Sequence, residues 1–158
     1  MYQKTARKMT AFLKGCPTAF HAVDSIAKEL EQNGYQRLRE EELWQIAPGG
    51  SYYVTRNDSS IIAFAVGIKL SDSYFRIAAS HSDFPTFKIK ENAERAVKDQ
   101  YLQLNTEGYG GMICSTWFDR PLSVAGRVIV KQEGRFSPKL VDVGRDLVMI
   151  PSLAIHMN

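Results

Sequence analysis

Tyr74-Phe75-Arg76-Ile77-Ala78-Ala79-Ser80 runs straight into His81-Ser82-Asp83. The apolar run has the length and composition of a buried β-strand, and its pattern predicts a strand over 74–80 that delivers His81 at its carboxyl end. A strand fixes the backbone there, and the imidazole offers a ring nitrogen. A carboxylate two residues on can hydrogen-bond a neighbouring ring or backbone group and keep the imidazole aimed. On the tripeptide alone two readings stand side by side: the first ligand of a metallohydrolase site, and a satisfied histidine closing a strand.

Upstream of this stretch the periodicity is helical. Ala6, Met9, Phe12 and Leu13 share one stripe of a helix over 4–14, with Lys and Arg opposite and Gly15 and Pro17 as its stop. Thr18 can cap a second helix whose apolar face is Ala19, Val23, Ile26 and Leu30, and Asn33-Gly34 suits its C-cap. From Tyr35 the period shifts toward two. Residues 52–56 and 60–66 read as a hairpin around Asn57-Asp58-Ser59. Helices followed by paired strands give an α/β layer structure.

Downstream the texture changes. Ala96–Leu104, Ser123–Lys131, Phe136–Val143 and Leu147–Ile150 are strand candidates separated by Gly, Pro and charge, with no helix of useful length between them. That is the pattern of a small antiparallel β module, and it places a domain boundary near residues 90–93. Pro151-Ser152 could open a further helix with Leu153, Ala154 and Ile155, so the chain is expected to be cut in the middle of an element.

Composition narrows the function classes. The 158 residues suit one ordinary domain or pieces of two, and 44% apolar with 23% charged residues describes a globular chain. Residues 1–90 carry 12 basic and 9 acidic groups, and residues 91–158 carry 8 of each, so no basic stripe points to nucleic acid. Cys16 and Cys114 lie far apart with no CxxC, which suggests two buried reduced thiols and a cytoplasmic setting. No run reaches the length of a membrane span, and the first residues lack a signal-peptide core. Walker, GxGxxG, GxSxG and HExxH patterns are all missing from the sequence.

Three further stretches stand out. Tyr109-Gly110-Gly111 precedes Ser115-Thr116-Trp117-Phe118-Asp119-Arg120-Pro121-Leu122, which reads as a tight connection followed by a buried aromatic anchor with an Asp119–Arg120 ion pair. Glu40-Glu41-Glu42 reads as a solvated charge run. His21, in the first turn of the second helix, suits a neutral structural or surface role, because a helix N-terminus disfavours a cation. His156 by itself reads as a surface histidine.

Taken in order, Pro17-Thr18-Ala19-Phe20-His21-Ala22-Val23, Ser80–Pro85, Tyr109–Gly111, Ser115–Leu122, Ala125-Gly126-Arg127-Val128 and Ile150–Asn158 closely resemble the N-terminal part of the M18 metalloaminopeptidases, the aspartyl aminopeptidase family. The likeness runs from about residue 17 onward. It implies an exopeptidase that removes one N-terminal residue, often acidic, using a water activated by two metal ions, usually Zn2+. The implied architecture is an α/β sandwich interrupted by a β-rich dimerisation domain, with dimers assembling into a dodecamer. Residues 1–90 would then open the catalytic domain and 91–158 the dimerisation domain.

The resemblance also carries residue roles. His81 matches a metal ligand, and Asp83 the aspartate that supports that histidine. His156 matches a histidine that reaches into the neighbouring subunit's active site and stabilises the tetrahedral intermediate there. Trp117, Asp119 and Arg120 fall in a signature stretch and are assigned to architecture. A two-metal site needs about five or six protein ligands, whereas this chain offers His81 and at most Asp83. The parent protein is therefore expected to be a peptidase and the 158-residue chain alone to be inactive. A non-catalytic assembly module that pairs with full-length subunits is the alternative, and in either case the uncovered apolar surface favours reliance on a partner chain.

Overall fold

The computed structural model describes residues 2–69 and 74–157. Two compact units divide the chain: residues 1–83 with 124–144, and residues 84–123 with 145–158. These limits differ from the division at residues 90–93 suggested by composition. The strand Thr86–Val97 spans that point, with its pairing register shifted between Ile89 and Glu94, and the hairpin of residues 125–142 groups with the N-terminal unit.

In the first unit, helix α1 spans Tyr2–Lys14 and ends where the Gly15 N–H bonds the Ala11 and Phe12 carbonyls. Helix α2 spans Ala19–Gln32. Its N-cap Thr18 accepts from the His21 N–H, and Asn33 and Gly34 close its other end, Gly34 in the left-handed region at φ 81°. Strand β1 (Gln36–Leu38) pairs parallel with β2 (Ser51–Arg56), which pairs antiparallel with β3 (Ser60–Ala65). The β2–β3 turn holds Asn57 and Asp58 at φ 52°, a conformation that Asn and Asp tolerate better than other side-chain-bearing residues. Among the described residues the buried apolar ones are Cys16, then Ala22 and Val23 of α2, and Tyr52, Tyr53 and Val54 of β2. Along β2 successive side chains alternate faces, Tyr53 meeting Glu31 of α2 and Tyr52 meeting Phe64 of β3.

Tyr53 is fully buried, and its hydroxyl donates to Glu31 Oε1 on α2. Burial, and then the Glu31 carboxylate, push the phenol from the ordinary 10.0 up to about 12. Because folding raises this pKa, the unfolded chain loses the proton first. The associated stability is whole below pH 10 and shrinks as pH climbs to about 12, by about 3 kcal/mol at most. Tyr53→Phe is expected to cost about 1.5 kcal/mol at neutral pH and to abolish that alkaline slope. Thermal unfolding between pH 8 and pH 12 reads both effects.

Also in the first unit, β6 (Ala125–Gln132) and β7 (Arg135–Asp142) form an antiparallel hairpin. The second unit is built on β4 (Thr86–Val97) and β5 (Tyr101–Tyr109), paired antiparallel with a bulge between Ile89 and Glu94. Gly110 turns out of β5 at φ 73°, and a side chain added there would meet Pro85 at 3.5 Å. A 3₁₀ turn follows at Cys114–Trp117, and a second lies at Ile155–Met157. Among the described residues no helix is long and apolar enough to cross a membrane.

Several sequence expectations need correction. Residues 74–80 form no strand, and Phe75 and Ile77 are 93% and 86% exposed. An apolar run becomes a strand only beside a hydrogen-bonding neighbour, and no described strand pairs with it. Residues 96–104 are not one strand but the β4–β5 turn with its flanks, with Lys98 and Asp99 at φ 51° and 54°. Leu147–Ile150 makes only isolated bridges, through Val148 and Ile150. Pro151-Ser152 opens no α-helix; only the short 3₁₀ turn forms. Cys16 is buried, but Cys114 is exposed. The solvated charge run holds: Glu40, Glu41 and Glu42 are exposed, and they form surface ion pairs, the first to Arg56 and the others to Arg39.

Candidate functional site

His81 follows the irregular 74–80 segment, so its placement depends on what holds the loop. Ser82 Oγ donates to the Ser59 carbonyl at 2.9 Å, tying the loop to the β2–β3 turn. That turn is gripped in its own right. Arg127 on β6 donates from Nη1 to the Asn57 carbonyl at 2.7 Å and from Nη2 to Asn57 Oδ1 at 3.1 Å. Its guanidinium also lies 4.1 Å from the Phe20 ring centroid on α2. A chain of contacts therefore runs from α2 through Arg127, the Asn57–Ser59 turn and Ser82 to His81. Arg127 lies in the Ala125–Val128 stretch, to which sequence reasoning assigns no role.

The His81 Nδ1–H donates to Asp83 Oδ1 at 3.2 Å. A carboxylate on Nδ1 fixes the tautomer that leaves the Nε2 lone pair free to face a ligand. The imidazole is 92% exposed, so Nε2 is open to an incoming ion. The tripeptide thus has the donor chemistry of one zinc position: a neutral imidazole nitrogen outward and a carboxylate behind it. It does not make a site by itself, since among the described residues no group of three or more His, Cys, Asp or Glu side chains converges.

His156 belongs to the second unit, in the 3₁₀ turn Ile155–Met157, and its side chain is exposed. The segment leading to it is paired with the signature stretch. Leu122 and Val148 exchange backbone hydrogen bonds at 2.9 and 3.1 Å, and the Asp119 N–H donates to the Ile150 carbonyl at 2.9 Å. The expected Asp119–Arg120 ion pair is absent among the described residues. Asp119 instead accepts from Ser152, and Arg120 Nη1 donates to the Thr116 carbonyl at 3.4 Å. Trp117 is only half-buried and meets Phe87 edge-on, ring centroids 5.5 Å apart.

An open cleft of about 270 Å³ lies between α2 and the β6–β7 hairpin, lined among others by Phe20, Asp24, Arg37, Asp58 and Arg127. Neither His81 nor Asp83 lines it. Its charges are mixed and its mouth is wide, so it lacks the enclosed apolar lining of a small-molecule site.

The profile of peptidase family M18, described as aminopeptidase I zinc metalloprotease, matches residues 12–158. A probable M18 family aminopeptidase 2 of Clostridium novyi is 49% identical over 158 residues, taking in 98% of this chain and 36% of that protein. A protein of the same description from Pseudomonas paraeruginosa is 47% identical over 148 residues, 93% of this chain and 34% of that one. Among solved structures, a chain of the Ape4 and Nbr1 complex matches with a TM-score of 0.91 at 44% identity, over 97% of this chain and 30% of that chain. The S. cerevisiae mApe1 dodecamer matches with a TM-score of 0.85 at 29% identity, over 98% of this chain and 37% of that chain. The chain spans about a third of the length of the curated relatives it matches.

Proposed function

This chain belongs to the M18 family of aminopeptidase I zinc metalloproteases, and on that premise we propose that its residues form the N-terminal part of a metalloaminopeptidase that hydrolyses the N-terminal residue, often an acidic one, from peptides. The observation that carries the proposal is the His81–Asp83 pair, which leaves Nε2 outward as a ligand while the carboxylate holds the ring. His81 is the chain's own metal ligand and Asp83 orients it. His156 donates from a neighbouring subunit toward the oxyanion of the scissile carbonyl. When bound, two Zn2+ ions would acidify a shared water and polarise that carbonyl. The remaining ligands and the general base come from polypeptide beyond the aligned third, so the 158-residue chain alone is inactive.

In this reading residues 1–90 contribute to the catalytic domain and 91–158 to a β-rich dimerisation domain. The dodecameric state of the mApe1 relative supports a homo-oligomer, and two free cysteines, Cys16 and Cys114, with no disulfide between them support a cytoplasmic location. Strands from the rest of the polypeptide flank residues 74–80 and cover Phe75 and Ile77.

The test is peptide hydrolysis by the complete polypeptide that carries these residues. Peptides with a free N-terminus should lose one residue at a time, fastest when it is Asp or Glu, and N-acetylated copies should be left intact. Exhaustive chelation should remove the activity and Zn2+ restore it. Cleavage within N-acetylated peptides, or full turnover after chelation, would contradict the proposal.

A further inference from the structure

The Asp119 carboxylate closes a latch on the segment that carries His156. Ser152 donates to it twice, from its backbone N–H to Oδ1 at 3.0 Å and from its hydroxyl to Oδ2 at 2.5 Å. Backbone contacts around the latch reinforce it: the Asp119 N–H donates to the Ile150 carbonyl at 2.9 Å, and Phe118 bridges Ile150 in parallel. Residues 150 and 152 are thus pinned from one side by two consecutive residues of the signature stretch. Past Ser152 the chain enters the Ile155–Met157 turn, closed by the Met157 N–H on the Ala154 carbonyl at 2.7 Å. Ser152 is held by a distant part of the sequence, and His156 lies four residues beyond it along an irregular stretch.

Asp119 itself sits at φ 53°, in the left-handed region. Non-glycine residues reach that region only against a steric penalty, and Asp is among those that bear it most readily. In this conformation the residue presents its N–H and its carboxylate to the same strand. The Ser152 hydroxyl, and then the Ser152 N–H, hold the carboxyl below its usual range, so the latch is made by an ionised acceptor.

We propose that Asp119 is a positioning residue for His156: its grip on Ser152 sets where the 150–157 segment leaves the β module and therefore where the His156 imidazole is presented to a partner's active site. The proposal rests on the trans role given to His156 above and adds the group that makes that role possible. A donor aimed at an oxyanion is effective only when placed to within a fraction of an ångström. A four-residue tether from a charged, doubly bonded anchor supplies such placement. Asp119 acts through another residue and touches no substrate.

The test is a double-mutant cycle in the complete, assembled enzyme. Asp119→Gly removes the carboxylate without straining the left-handed backbone. It is expected to lower kcat about tenfold or more, with KM within about twofold and the oligomer intact. Asp119→Asn keeps an acceptor for the Ser152 N–H and should recover most of that loss. In a His156→Ala background Asp119→Gly should cost nothing further, because the residue it positions is gone. Hydrogen exchange of the complete enzyme should quicken over residues 150–157 in Asp119→Gly. Where that variant fails to assemble, Ser152→Ala, expected to lose about threefold in kcat, takes its place in the cycle. An unchanged kcat in Asp119→Gly while His156→Ala is impaired overturns the inference alone, as does an equal loss in both backgrounds. An unchanged kcat in His156→Ala overturns the underlying role of His156, and the inference with it.

Discussion

Replacing His81 by Ala in the complete polypeptide is expected to remove one metal ion per subunit and to lower peptide hydrolysis about a thousandfold or more. The expectation follows from the ring geometry. Asp83 occupies Nδ1, so the whole coordinating capacity of the imidazole lies at Nε2, and alanine leaves nothing in its place. Losing one protein ligand would weaken the hold on the ion and, with it, the lowering of the pKa of its bound water that the metal would supply. His81→Ala should leave the fold largely intact, because the side chain is exposed and contributes little to packing. Metal content by elemental analysis and turnover on a peptide with an N-terminal Asp read the two effects separately. Two ions retained with full turnover would remove His81 from the ligand set.

His156→Ala is expected to lower kcat about a hundred- to a thousandfold, the cost of removing one oxyanion donor, with little change in KM. Its metal content should be that of the wild type, which separates it from His81→Ala. Supply in trans makes a sharper prediction. Inactive His81→Ala subunits mixed with inactive His156→Ala subunits should regain activity, because in a mixed pair one site has its own His81 and the partner's His156. Random pairing makes half the dimers mixed, each with one intact site, so recovery approaches roughly a quarter of the wild-type rate. No recovery after verified subunit exchange would place His156 in its own subunit's site or in none.

The sequence revealed most where structure is set locally. Thr18 caps α2, Asn33-Gly34 ends it, and Val23 on its predicted apolar face is 2% exposed. The Asn57-Asp58-Ser59 turn is likewise readable, since Asn and Asp signal the positive φ it requires. The signals failed where structure depends on distant partners. Residues 74–80 have the composition of a strand, yet composition reports only the capacity to be buried, and pairing needs a neighbour. The β4–β5 turn was missed because Lys98 and Asp99 take left-handed conformations with no Gly or Pro to announce them.

The site shows the same division. His81 and Asp83 meet because two residues of separation bring them together in any extended or bent loop. Asp119 and Ser152 are 33 positions apart, and no periodicity links them. Asp119 followed by Arg120 suggests an ion pair with its neighbour. The left-handed backbone at Asp119 instead turns the carboxylate toward Ser152, and that φ angle was invisible in the sequence. Arg127 was overlooked for a similar reason: its partners Phe20 and Asn57 lie 107 and 70 positions away.

The most direct measurement is anomalous diffraction at the zinc absorption edge from crystals of the complete enzyme. A zinc peak about 2.0–2.1 Å from His81 Nε2, with Asp83 on Nδ1, is the predicted result. Zinc bound only elsewhere, with the His81 ring unligated, would contradict the assignment of this chain's histidine to the metal centre.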